Sequence, residues 1–185
     1  MNTLIRLHDR AFSPLARADW LLPTLARLVF AGVLLVYFWA SGLTKLGPGL
    51  PGLFDPAMGA YAQIFPRAMA AVSYDISQFG LWHKLVVLAG TWSEFILPLL
   101  ILVGLMTRLA ALGMIGFIVV QTLTDLIGHG GAAHPETLGA WFDRFPDSPI
   151  MDQRAFWVLV LLVLVIKGAG PFALDRLFKR QSVVD

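Results

Sequence analysis

Four apolar runs decide most of what this chain can become. The first, "LLPTLARLVFAGVLLVYFWASGLTKL", extends from Leu21 to Leu46, the second from about Lys84 to Gly104, the third from Arg108 to Ile127, and the fourth covers about 155–174. Each approaches the roughly 20 apolar residues that carry a helix across a bilayer. Composition agrees. Mean hydropathy is +0.72, 57% of residues are hydrophobic and only 14% are charged, against about 25% charged in soluble domains. The expected fold is all-α: a polytopic membrane protein, a four-transmembrane-helix bundle with two long extracytoplasmic loops, in a single domain over residues 1–185.

Only "GLMTR" separates the second and third runs, so these two must be antiparallel neighbours. Pro23 falls in the first turn of the first run, where a missing N–H costs little. The fourth run is pure from Ala155 to Ile166 and then meets Lys167. Twelve residues cover roughly 18 Å of a hydrocarbon core of about 30 Å. The helix is therefore expected to continue past Lys167, whose stem snorkels toward the headgroups. The N-terminal "MNTLIRLHDRAFSPLARADW" reads as an arm with an aromatic anchor at Trp20, because the apolar run after it is too long for a signal-peptide core.

Basic residues are sorted by side. Arg6, Arg10, Arg17, Arg108, Lys167, Arg176, Lys179 and Arg180 fall on the arm, the short turn and the tail; Lys45, Arg67, Lys84, Arg144 and Arg154 fall on the long loops and their edges. The positive-inside rule then expects both termini in the cytoplasm. The two long loops mix Pro and Gly with Phe, Trp and Tyr, which suggests short pieces capping the bundle. A formal charge of +2 is too small to argue for nucleic acid. Cys is absent, so no disulfide or thiolate site forms within the chain. There is no phosphate-binding Gly loop, Ser–His–Asp set or nucleotide fingerprint.

Ionisable residues at membrane depth are the candidate chemistry. Glu94, in "TWSEFILPLLILVG", lies roughly 15 Å from both ends of its run, and Arg27 roughly 9 Å from the start of the first. A lone carboxylate facing lipid costs several kcal/mol, so an Arg27–Glu94 pair is the first expectation. Two readings of it stand: a polar pin that sets helix register, and a polar group lining a cavity, where a desolvated carboxyl can exchange protons. Thr91 shares the face of Glu94, whereas Trp92 lies off it and contacts lipid. Ser41 and Lys45 share a face of the first helix at i, i+4. Lys45 alone reads as an interfacial snorkeller; with Asp125 as its partner and Gln121 one turn deeper, it would form an outer polar pocket at headgroup level. His129 and His134 lack the helical spacing of intramembrane ligand sets and read as solvated loop residues, with no metal expected.

"FWASGLTKL", "GTWSEFILPLLILVGLMTRLAAL" and "KGAGPFALDRL" together resemble the DoxX-like family of small four-helix bacterial membrane proteins, related to the membrane subunits of thiosulfate:quinone oxidoreductases and terminal quinol oxidases. The matched positions are Gly42, Lys45, Glu94, Arg108, Gly170 and Asp175, with Arg27 as the usual arginine of the first span. The resemblance implies a multi-pass protein of the bacterial inner membrane, with a quinone as cofactor. It implies a subunit of a quinone-linked redox system, in which Glu94 and Arg27 would handle protons; Lys45 and Arg108, together with Thr91, Ser41, Gln121 and Asp125 from the reading of the helix faces, are the expected ligand contacts. No electron carrier is evident in the chain, so a soluble or membrane redox partner, besides membrane lipid, would supply electrons. A second class remains open: a non-catalytic adaptor or integrity protein that recruits redox or stress-response enzymes. A small-molecule carrier is a third. Gly113 and Gly116 allow close packing inside the bundle as readily as between subunits, so a homo-oligomer is also open.

Overall fold

The computed structural model describes residues 2–176; Lys179 and Arg180, used above for orientation, lie outside them. All regular structure among these residues is helical, and four helices are long and apolar enough to cross a membrane: Leu21–Leu43, Leu81–Val103, Thr107–Gly128 and Pro149–Lys167. They form a closed square. The first span packs its beginning against the fourth and its end against the second, and the third packs against both the second and the fourth. Phe30, Leu34 and Phe38 of the first span, Ile101, Met114, Ile118, Leu161 and Leu164 fill the centre, each at most 3% exposed. Hydrophobic side chains on the outer faces remain exposed, as expected where lipid is the solvent.

The fourth span corrects the sequence reading. It ends at Lys167 and gains its length at the other end, where it begins at Pro149. Gly168 and Gly170 have φ of +82° and +76° and Pro171 has no N–H to give, so the helix cannot continue. At the start, Ser148 Oγ accepts from Asp152 N at 3.3 Å while the Asp152 carboxylate accepts from Ser148 N at 3.0 Å. This reciprocal cap lets the polar residues Asp152, Gln153 and Arg154 begin a span they had seemed to precede. Nineteen residues at 1.5 Å each give about 28 Å, close to the hydrocarbon thickness.

The short turn between the second and third spans is held from elsewhere in the chain. Gly104 takes φ +71° and closes the second span in the left-handed manner glycine permits. Asp175 then accepts from Met106 N at 2.6 Å and Thr107 N at 3.0 Å, capping the third span, and donates its own N–H to Gly104 O at 2.9 Å. At the opposite end the first long loop folds into short helices, Met58–Ile64 and Pro66–Ala71. Ala60, Tyr61 and Met69 form a small core with Val87 of the second span. The loop is thus a helical cap, as its aromatic content suggests. The N-terminal arm is itself a helix, Asn2–Ala16.

Candidate functional site

Glu94 does not meet Arg27. Its carboxylate accepts from Lys45 Nζ at 2.8 Å on both oxygens and from Ser41 Oγ at 3.0 Å on Oε1, and Lys45 Nζ also donates to Ser41 Oγ at 2.7 Å. The side chains of Lys45 and Glu94 are 7% and 5% exposed. The reason is directional. Side chains on a helix lean toward its N-terminus, and the first and second spans run antiparallel. Lys45 therefore leans from its end back into the bundle, and Glu94 leans toward it. Arg27, on the same span as Lys45, leans toward the end where that span begins, away from Glu94. There its guanidinium donates to the carbonyls of Ile101 at 3.0 Å, Ala169 at 3.0 Å and Phe172 at 2.6 Å, and to that of Leu102. The last carbonyls of a helix have no partners within it, and a five-donor fork suits them better than a distant carboxylate does. Lys45 is accordingly a buried ion-pair member and not a snorkeller.

Close approach of the two spans makes the triad possible. A Cβ on Gly42 would lie 2.7 Å from the Phe95 ring, so glycine lets the first span seat against the turn carrying Glu94. Pro98, buried in the second span, withholds the N–H that would bond the Glu94 carbonyl. Trp39 Nε1 donates to the neighbouring Phe95 O at 3.3 Å. Thr91 is buried but turned to its own helix, donating to Val87 O at 2.8 Å. Trp92 is also placed differently than expected: it donates to Leu53 O at 3.1 Å and stacks near Phe54, tying the first loop to the span.

A cavity of about 430 Å³ reaches the triad, with Ser41, Lys45, Glu94, Gln121 and Asp125 in its walls. Five of the expected site residues therefore do converge. The pairing of Lys45 with Asp125 does not occur: Asp125 binds the Arg154 guanidinium, which also donates to Thr122 Oγ1 at 2.7 Å. Arg154 is 8% exposed and was missed as a loop-edge charge; its one signal was a place at the start of an apolar run beside the end of another. His129 and Gln63 also line the cavity, joined by His129 Nε2 and Gln63 O at 3.0 Å. His129 is thus part of the site rim, while His134 sits exposed beside Glu136. One end of the Gln121 amide bonds Tyr37 Oη at 3.2 Å; the other is buried with no partner among the described residues. Arg108 lies at the opposite end of the third span, about 20 Å from Gln121 along the helix, and belongs to a different cleft.

The cavity opens sideways. Its walls on the second and third spans include Ala89, Gly113, Gly116 and Val120, all exposed on the outer face of the bundle. Gly116, where an added Cβ would meet nothing within 4 Å, and the small Ala89 leave a gap where larger side chains would seal the pair from lipid, whereas Gly113 packs on Leu97, 3.1 Å from where its Cβ would lie. The family model for DoxX matches residues 22–130. This chain belongs to the DoxX family. The DoxX match covers the first three spans and the capped loop, and with them Arg27, Gly42, Lys45, Glu94 and Arg108; Gly170 and Asp175 follow the matched segment. No curated protein and no solved structure matches this DoxX chain.

Proposed function

We propose that this DoxX protein binds a quinone, or a similar small hydrophobic molecule with a polar head, in the cavity at Glu94, as the membrane subunit of a quinone-linked redox system. The observation that carries the reading is the lateral opening: a structural ion pair needs to be sealed, whereas this pair ends a cavity that meets the lipid face. A volume of about 430 Å³ falls within the range of small-molecule sites. The Glu94 carboxylate, the Lys45 ammonium and the unpartnered end of Gln121 offer acceptor and donor groups to a carbonyl or hydroxyl head. Reduction of a bound quinone consumes two electrons and two protons. The electrons would come from a redox partner, and the Glu94–Lys45 pair would exchange protons with the head. In keeping with the family, the protein sits in the bacterial inner membrane, and the sorting of basic residues puts both termini in the cytoplasm.

The test is purification followed by solvent extraction and mass spectrometry for quinone, comparing wild type with Glu94→Gln and with Gly116→Leu, which fills the opening. Wild type should retain quinone and both variants should lose most of it. Equal retention in all three would remove Glu94 from the binding role, and no quinone in any would favour a non-catalytic adaptor.

A further inference from the structure

A second cleft, of about 680 Å³, lies at the end of the bundle where the first span begins and the fourth closes. It is built where three spans end: Trp20 precedes the first, Thr107 begins the third and Lys167 closes the fourth. Spans of bilayer length place such a cleft at the level of lipid headgroups. Its charged walls are Arg108, Lys167 and Arg176 against Asp19 and Asp175.

The two acids are already engaged. Asp175 caps the third span through Met106 N and Thr107 N, and Asp19 lies 3.4 Å from Lys167 Nζ. Arg108 is exposed and has no hydrogen bond or ion pair among the described residues. In the same wall the Thr107 hydroxyl is fully buried and has no hydrogen-bond partner among the described residues. The apolar part of the lining includes Met106 and Leu109, 55% and 62% exposed on the lipid-facing side. Basic groups at headgroup depth beside an apolar wall match the two halves of one kind of molecule.

We infer that this cleft is a binding site for an anionic phospholipid, its phosphate held by Arg108 with Arg176 and Lys167, and its acyl chains running along Met106 and Leu109. The N-terminal helix carries the same preference. At 100° per residue, Leu4, Leu7, Ala11 and Leu15 fall within about 80° of one another, while Arg6 and Arg10 centre about 120° away and Arg17 follows the end of the helix. It enters the first span only a few residues later, so these arginines add to the positive surface at this end. The site is independent of the quinone reading, because it lies at the opposite end of the bundle from Glu94.

The test uses the full chain, delipidated in detergent, with native mass spectrometry after adding phosphatidylglycerol or phosphatidylcholine of identical acyl chains. Wild type should retain phosphatidylglycerol at least about tenfold better, and Arg108→Gln should weaken that retention about fivefold, with a similar further loss on adding Arg176→Gln. Arg108→Lys keeps the charge and should stay within about twofold of wild type, which separates lost charge from lost folding. Equal retention of the two lipids, or no change in Arg108→Gln, overturns the site. Displacement of the lipid by equimolar inorganic phosphate also overturns it, since the cleft would then serve a free anion.

Discussion

Replacing Lys45 by Met tests the central ion pair. The substitution keeps the length of the stem and deletes a charge that donates to both Glu94 oxygens at 2.8 Å. Glu94 keeps only the Ser41 hydroxyl while 3% exposed. Removing one member of a buried pair costs about 3–5 kcal/mol, because the other is left buried and uncompensated. For a chain of this size each kcal/mol shifts Tm by about 2–4 °C, so Lys45→Met should melt about 6–20 °C below wild type in detergent. The double variant Lys45→Met/Glu94→Leu removes both charges and should recover most of that loss, as apolar replacements of buried pairs do. If the pair is only a pin, the double variant also keeps any bound quinone; if it forms the head-binding site, stability returns and quinone does not. A Tm for Lys45→Met within about 2 °C of wild type would refute the burial argument itself.

Three other outcomes follow from the same geometry. Arg27→Gln and Glu94→Gln should destabilise additively, with a coupling below about 0.5 kcal/mol in a double-mutant cycle, since the two side chains share no partner; a coupling above about 1 kcal/mol would restore the pairing that the sequence suggested. Gly42→Ala puts a Cβ 2.7 Å from the Phe95 ring and should cost about 1–3 kcal/mol by thermal unfolding, with quinone retention falling as the second span is pushed away. Asp175→Ala removes the cap on Met106 N and Thr107 N and should cost about 0.5–2 kcal/mol. Hydrogen exchange should then quicken at residues 105–108, and unchanged exchange there would count against the cap.

What the sequence determined by itself was the set of positions that must avoid lipid. Four apolar runs, the length of a bilayer crossing and the short turn at Gly104 together fix an all-helical bundle, because hydrophobic length is a local property. The same logic singled out Glu94, Arg27, Lys45, Ser41, Gln121 and Asp125 as residues needing an explanation. Partners were another matter. Depth counted along each helix made Arg27 and Glu94 look close, yet depth does not say which way a side chain leans. Lean depends on chain direction, and antiparallel packing turned Lys45 toward Glu94 and Arg27 away from it. Arg154 was invisible for a related reason: the cap formed by Ser148 and Asp152 brings polar residues into a span that hydropathy starts later. The lateral opening was also beyond reach, because only the facing helix decides that Gly113 closes a seam on Leu97 while Gly116 leaves a gap.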